Sequence, residues 1–85
     1  MNTYKLVFRF ILGTHKVRKD GKAPLFGRIT YLGKRKQFST SLYLYPKDWK
    51  SKLQEAHPPD KYNFINTQLS LISQKINEAF LFFLF

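Results

Sequence analysis

The sequence predicts an α+β fold in which a three-stranded antiparallel β-sheet packs against one long C-terminal α-helix. Hydrophobic residues alternate with a period of two between residues 4 and 44, and the period changes to 3.6 from residue 61. Turn-forming segments join the alternating runs, which favours hairpins and an antiparallel sheet. A sheet with one polar face and an amphipathic helix each have an apolar side to bury, so we expect them to pack together.

The length and composition are those of one folded domain. At 85 residues the chain fits a single domain over residues 1–85, with a sheet (4–44), a connection (45–60) and a helix (61–83). The hydrophobic content of 44% includes nine phenylalanines, which a disordered basic tail would lack. The chain has no cysteine, which excludes disulfides and thiolate metal sites.

The first strand is expected in residues 4–12, where Leu6, Phe8 and Phe10 would share one face and Arg9 the other. Residues 13–24 follow as a basic segment with a strong Asp-Gly turn signal at positions 20–21. We interpret this segment as a long, mobile hairpin loop.

The second and third strands are expected in residues 25–32 and 34–44, joined by a short turn at Leu32 and Gly33. Glycine accepts the positive φ that such a turn requires. Pro46 ends the sheet because it cannot continue the ladder, and Trp49 is large enough to anchor the connection to the core.

The helix is expected from residue 61, after the Pro-Pro-Asp sequence of residues 58–60. Asp60 is a suitable residue to cap it. Its apolar positions are separated by steps of three or four and form one stripe, which consists of Tyr62, Ile65, Leu69, Ile72, Ile76, Ala79, Phe80 and Phe83.

The positive charge is concentrated in the half of the chain that is predicted to form strands. Ten of the fifteen basic residues lie in residues 1–36, which carry a net charge of +9, while residues 37–85 carry +1. A positive field confined to one part of a fold favours a polyanionic partner, and nucleic acid is the first candidate.

If the helix covers one face of the sheet, the other face is displayed to solvent. Arginine can bridge O6 and N7 of guanine, glutamine can pair with adenine, and hydroxyls reach phosphates or base edges. For any single polar residue on this face, a role in solubility is about as good an explanation as nucleic-acid binding. The whole set together favours nucleic-acid binding. The polar residues expected on that face are Lys5, Arg9, Arg28, Thr30, Arg35, Gln37, Ser39 and Ser41.

The sequence gives little indication of a catalytic site, a metal site or a membrane-spanning segment. His15 and His57 lie in separate predicted loops without companion ligands, and the acids outside the basic half are dispersed. The glycines follow no phosphate-loop pattern. We expect no cofactor, no small-molecule substrate and no enzymatic activity. The sequence also shows no signal peptide and no apolar stretch near ~20 residues, so a cytoplasmic location is expected.

Several segments together resemble the arm-type DNA-binding domain at the N-terminus of tyrosine recombinases, especially the integrases of bacterial conjugative transposons and related phage. The resemblance extends into the helix to about Ala79. The segments are Val7-Phe8-Arg9-Phe10, Pro24-Leu25-Phe26-Gly27-Arg28-Ile29-Thr30, Gly33-Lys34-Arg35-Lys36-Gln37-Phe38-Ser39-Thr40 and Pro46-Lys47-Asp48-Trp49.

The resemblance implies a non-catalytic DNA-binding module of a mobile-element integrase in a bacterial cytoplasm. In that family the sheet enters the major groove of arm sites, and further integrase domains or subunits are partners. By position, Arg28, Thr30, Arg35 and Gln37 match the family's sheet contacts, with Arg9 beside them. The complete set of expected DNA-binding residues is Lys5, Arg9, Lys16, Arg18, Lys19, Arg28, Thr30, Lys34, Arg35, Gln37 and Ser39.

Two features depart from the family pattern. Leu32 occupies a turn position that is usually polar, and residues 80–85 are apolar all round the helix. A truncated or frameshifted reading frame, an artificial end of the chain, or a docking surface for a missing domain would each explain the apolar end. Two other functions stay open. The aromatic helix could serve protein interaction or self-association, and a sheet-plus-helix module can also read double-stranded RNA by its shape.

Overall fold

The three-stranded sheet and the C-terminal helix are both present, which confirms the predicted α+β class. The strands pair antiparallel in the order β1-β2-β3. The structure, a computed structural model, describes the backbone of residues 6–84 and the side chains of residues 6–80. Its main elements are β1 (Val7–Leu12), β2 (Ala23–Tyr31), β3 (Lys34–Leu44) and, after a second small sheet, α1 (Asn63–Leu84).

The connection between the sheet and the helix contains a small hairpin that the sequence did not predict. A 3-10 turn at Pro46–Asp48 leads into β4 (Trp49–Lys50), which pairs antiparallel with β5 (Glu55–Ala56). Trp49 packs against the buried core, so its predicted anchoring role is confirmed.

The turn between β2 and β3 contains two residues with positive φ. Gly33 has φ +76°, as the sequence predicts, and Leu32 has φ +52°. A type I′ hairpin turn requires positive φ at both central positions, which a leucine adopts at a cost. Leu32 is also 55% exposed, so the tip of this hairpin is both strained and apolar.

Strand β3 contains a bulge within the run that was predicted as one regular strand. Phe26 pairs with Ser39 but its neighbour Leu25 pairs with Leu42, so two residues of β3 are extra. Hydroxyl groups replace the missing ladder bonds. The Thr40 hydroxyl donates to the carbonyl of Leu25 (2.7 Å) and accepts from the amide of Leu42 (3.2 Å). Because the insertion is two residues long, the faces of β3 keep their alternation.

Under the helix, aromatic side chains pack across β2 above Gly27. The rings of Phe8 and Phe38 are stacked with centroids 6.1 Å apart, and Phe10 meets Phe8 edge to face at 4.9 Å. A Cβ on Gly27 would lie 2.5 Å from the Phe38 ring. Glycine at this position therefore allows the ring of Phe38 to cross the middle strand.

The buried core lies between the covered face of the sheet, the small hairpin and the first half of α1. Tyr62 and Leu69 on the helix side pack with residues of all three sheet strands and of β5. Further along α1, Phe80 meets Tyr31 edge to face at 5.1 Å, so the helix follows the sheet to its far end. The fully and nearly buried members of this core are Phe10, Leu25, Leu44, Ala56, Tyr62 and Leu69.

Two side-chain amides join the small hairpin to its neighbours. Gln54 accepts a hydrogen bond from the amide of Phe10 (2.6 Å) and donates one to its carbonyl (3.1 Å). Asn66 on α1 does the same for Ala56, accepting at 2.8 Å and donating at 2.9 Å. Each amide therefore acts like one residue of an additional strand, and Gln54 covers the outer edge of β1.

The helix begins at Asn63 rather than at residue 61, and the predicted cap at Asp60 is wrong because Asp60 lies too far before the first turn. The Tyr62 amide instead donates to the carbonyl of Pro58 at 3.2 Å. The helical backbone continues to Leu84, but the side chains of residues 81–85, which form most of the apolar end, lie outside the described residues.

Candidate nucleic-acid interface

The open face of the sheet, meaning the side that α1 does not cover, presents three rows of cross-strand neighbours. Each row has one residue from each strand, because the strands pair in register on this side. Side chains of adjacent strands in such a row lie within about 5.5 Å of each other at Cβ. The rows are Val7–Thr30–Arg35, Arg9–Arg28–Gln37 and Ile11–Phe26–Ser39.

The central row places two arginines directly opposite each other. Arg9 and Arg28 are paired across β1 and β2, and Gln37 continues the row on β3. Among the described residues neither arginine has a carboxylate within salt-bridge distance, although Arg9 reaches the Ser51 hydroxyl at 3.5 Å. Like charges in this arrangement repel, so an anion above the row would be stabilised.

Hydrogen-bonding groups surround this arginine pair. Arg35 and Gln37 are exposed on β3, and Thr30 is half-buried between Val7 and Arg35. The hydroxyl of Ser39 accepts a bond from the amide of Ser41 at 3.1 Å, so it keeps its donor free for a ligand. The open face therefore offers donors and acceptors together with three apolar side chains, Val7, Ile11 and Phe26.

The segment between β1 and β2 is more regular than the mobile loop that the sequence predicts. It contains a 3-10 turn at Thr14–Lys16 and a tight turn in which the amide of Gly21 donates to the carbonyl of Arg18 (3.0 Å). Two of its cations lie over aromatic rings of the sheet. The Lys16 ammonium is 5.5 Å from the Phe26 centroid, and the Arg18 guanidinium is 4.2 Å from that of Tyr43.

Arg18 also forms an ion pair within its own turn. Its Nη2 donates to Oδ2 of Asp20 at 2.6 Å, and the amide of Lys22 donates to Oδ1 at 3.0 Å. The Lys22 amide, followed by the Arg18 guanidinium, lowers the pKa of the Asp20 carboxyl. The hydrogen bond that Arg18 donates to Asp20 raises the pKa of Arg18. Arg18 is thus partly neutralised before any ligand binds.

Two of the remaining lysines that the sequence predicts to bind DNA, Lys19 and Lys34, lie at opposite ends of the sheet. Lys19 is exposed in the turn after the 3-10 segment, and Lys34 is exposed at the start of β3 beside the Leu32-Gly33 turn. Lys5 lies outside the described residues. The two ends therefore extend the positive surface on either side of the open face.

The acids of the described residues avoid the three-stranded sheet. Asp20 lies in the loop between β1 and β2, and the others lie on the connection or on α1. Glu55 pairs with His57 at 2.8 Å, and Asp48 accepts a hydrogen bond from the hydroxyl of Tyr62. Burial, together with this bond, raises the pKa of Tyr62 to about 12. No described acid therefore lies on a strand of the three-stranded sheet, and Asp20, in the loop beside it, is paired with Arg18.

The structure brings together most of the residues that the sequence singled out. Arg9, Arg28 and Gln37 form one row, Thr30 and Arg35 flank it on one side, and Ser39 flanks it on the other. Sequence reasoning missed that the rings of Phe26 and Tyr43 contact the loop cations Lys16 and Arg18. Their outward alternation on the strands was the available signal, but contact between the loop and the sheet has no periodic pattern.

The described residues offer little to a metal site or to a membrane span. In the part of the chain that the structure describes, no group of three or more metal-ligating side chains comes together. No described helix combines the length and the apolar character needed to cross a membrane. A cavity of about 230 Å³ lies between the outer edge of β1, the small hairpin and α1, away from the open face, and is lined in part by Phe8, Gln54 and Ser73.

Comparison with known proteins bears on this surface. Neither the curated proteins nor the solved structures contain a significant match to the chain. The model of one protein family, described as the arm DNA-binding domain, matches residues 10–82, which include the second half of β1, all of β2 and β3, and nearly all of α1. This chain therefore belongs to the arm DNA-binding domain family, whose members are non-catalytic DNA-binding modules of integrases.

Proposed function

We propose that the open face of the sheet enters the major groove of double-stranded DNA and reads a specific sequence there. The observation that carries this proposal is the central row, in which Arg9 and Arg28 face each other without a carboxylate partner among the described residues. Three strands about 4.8 Å apart span roughly 10 Å between the outer strands. That width fits a major groove of ~12 Å.

Base recognition is assigned to the side chains in the middle of the open face. The guanidinium of Arg28 has the fork geometry that matches O6 and N7 of guanine, and the amide of Gln37 matches adenine. Arg35 and Thr30 flank them, and the exposed methyl groups of Val7 suit a thymine methyl.

Phosphate binding is assigned to the two ends of the sheet. Lys16, Arg18 and Lys19 in the loop lie at one end, and Lys34 of the β2–β3 hairpin lies at the other. Lysine suits a phosphate contact because it acts as a flexible point charge. Such contacts hold the orientation of the duplex but carry no sequence information.

Family membership and the resemblance described above support a more specific context. In this context the chain is the arm-binding module of a tyrosine recombinase carried by a mobile element. It binds arm sites in a bacterial cytoplasm and assembles with further integrase domains or subunits. The chain contributes DNA positioning, and the strand-exchange chemistry belongs to another domain.

The proposal is tested by duplex binding at several salt concentrations. Neutralising about six phosphates predicts a slope of log K against log salt near −5. Arg28→Ala should cost about 1–3 kcal/mol with the cognate duplex and relax the preference at one base pair. Lys75→Ala, an exposed lysine on α1, is the control and should change binding little. A slope near zero, or equal losses for both variants, would refute the proposal.

Self-association through α1 is the second candidate, because Phe64 is 63% and Leu71 is 46% exposed on that helix. Sedimentation of the wild type and of a Phe64→Ser/Leu71→Ser variant distinguishes it. If the proposed function is right, the two proteins bind the duplex equally in a binding assay. If α1 serves self-association, the wild type sediments as an oligomer and the variant as a monomer. An RNA duplex of equal length, used as competitor, separates DNA binding from shape recognition of A-form RNA.

A further inference from the structure

Three lysines from separate parts of the fold surround a single tyrosine ring at one end of the sheet. The ammonium groups of Lys22, Lys47 and Lys61 lie 5.5, 6.0 and 5.8 Å from the ring centroid of Tyr45. Lys22 precedes β2, Lys47 lies in the second 3-10 turn, and Lys61 lies just before α1. We call these four residues the Tyr45 cluster.

The position of Tyr45 is fixed by its neighbours. A Cβ built on Gly21 would lie 3.5 Å from the ring, so the tight turn packs directly against it. The ring also ends a series along the sheet in which three of the four Lys and Arg residues of the loop lie over one ring each: Lys16 over Phe26, Arg18 over Tyr43 and Lys22 over Tyr45. The Tyr45 cluster therefore continues the positive surface of the loop around the end of the sheet.

Cation–π attraction does not by itself explain three lysines at this ring. One exposed cation already gains the ~0.5–1 kcal/mol that such a contact provides. Any two of the three ammonium groups lie at most about 12 Å apart, and the Debye length at physiological salt is about 8 Å, so salt weakens their mutual repulsion without abolishing it. Among the described residues the ion pairs are Arg18–Asp20 and His57–Glu55, and neither includes these lysines.

We infer that the Tyr45 cluster binds a backbone phosphate of the same DNA duplex that the open face reads. This inference rests on the proposed function and extends its footprint beyond the loop and the β2–β3 hairpin to the connection and the start of α1. The ligand chemistry is a phosphodiester: its negative charge relieves the repulsion among the three ammonium groups, none of which forms an ion pair with a carboxylate in the described chain. Inorganic phosphate has related chemistry and serves as the competing ligand in the test.

The test compares two triple variants that lose the same charge. Lys22→Gln/Lys47→Gln/Lys61→Gln removes the cluster, and Lys50→Gln/Lys52→Gln/Lys75→Gln removes three exposed lysines elsewhere. Binding of a 20-base-pair duplex is measured between 0.05 and 0.3 M salt, with thermal unfolding of each protein as a check on folding. Loss of one or two phosphate contacts predicts a slope shallower by about 1–2 and, at 0.1 M salt, binding roughly eightfold weaker per contact.

The outcomes separate this inference from the proposed function. A wild type that binds no duplex refutes both. If the wild type binds and the two triple variants match each other in affinity and slope, the inference is wrong and the proposed function stands. If inorganic phosphate shifts the Nζ resonances of the three lysines and the duplex does not, the cluster is a site for free phosphate and the inference is again refuted. A selective loss in the cluster variant supports it.

Discussion

Replacing Gln54 by alanine tests how the edge of the DNA-binding sheet is held in place. The Gln54 side chain makes two hydrogen bonds to the backbone of Phe10, at 2.6 and 3.1 Å, and a third to the carbonyl of Ser51 at 2.9 Å. Phe10 is only 4% exposed, so its backbone groups do not find a full hydration shell when the amide is removed. The variant therefore loses stability through unpaired polar groups.

The size of the loss follows from these contacts. At about 1 kcal/mol net for each hydrogen bond, the three bonds give roughly 2–3 kcal/mol. The neighbouring cavity of about 230 Å³ admits water to the exposed backbone, which limits the additional penalty. Alanine keeps the same backbone cost as glutamine at φ +56°, so strain does not distort the comparison.

The assay is thermal unfolding followed by circular dichroism and by the fluorescence of Trp49, the single tryptophan of the chain. A loss of 2–3 kcal/mol predicts a Tm lower by roughly 10–20 °C for a domain of this size. Hydrogen exchange at the Phe10 amide should become faster at the same time. Lys52→Ala in the same hairpin is the control. A Tm within about 2 °C of the wild type, with the Phe10 amide still protected, would show that Gln54 does not hold the edge of β1.

Three further predictions concern the hairpin tip, the helix start and the loop. Leu32→Asn should raise the free energy of unfolding by up to about 1 kcal/mol, since asparagine tolerates φ near +52° better, and chemical denaturation measures it. The stability that Tyr62 contributes is complete below pH 10. It decreases as the pH rises towards about 12, because the unfolded phenol ionises first, so the wild type should lose stability faster than Tyr62→Phe over that interval. Asp20→Asn keeps the turn bond to Lys22 but releases Arg18, so duplex binding should strengthen and the salt slope should steepen by about 1; unchanged binding would contradict that role.

The sequence was sufficient to predict the strands, their faces and the helix because each has a regular period. Phe8, Phe10 and Phe38 alternate with Arg9 and Gln37, and burial follows the same alternation. The helical stripe also holds over its described length. Tyr62 and Leu69 are buried, and Ile65, Ile72 and Ile76 are half-buried, while Ala79 at its end is exposed.

The features that the sequence did not predict depend on single long-range contacts. Strands β4 and β5 have two residues each, too short for any period, and they are held by the amides of Gln54 and Asn66. The bulge in β3 depends on the hydroxyl of Thr40, and nothing in the alternation signals it. Helix α1 begins at Asn63 because the chain first bonds the Tyr62 amide back to Pro58.

In the candidate site, too, the features with a regular strand period could be predicted from the sequence, and the contacts between distant segments could not. The row of Arg9, Arg28 and Gln37 follows from strand alternation once the register is known. The contacts of the loop cations with Phe26, Tyr43 and Tyr45 do not, because they join segments whose separation in sequence has no fixed relation to the strand period. A basic segment that looks unstructured in sequence is therefore positioned by aromatic residues on the face that it borders.

If DNA lies on the open face of the sheet, titration with a duplex will change the amide chemical shifts of that face. The largest changes should fall on Arg9, Arg28, Gln37 and the loop at Lys16, and α1 beyond Asn66 should stay unchanged. Changes centred on Phe64 and Leu71, with no change at the sheet, would show that DNA does not bind the open face.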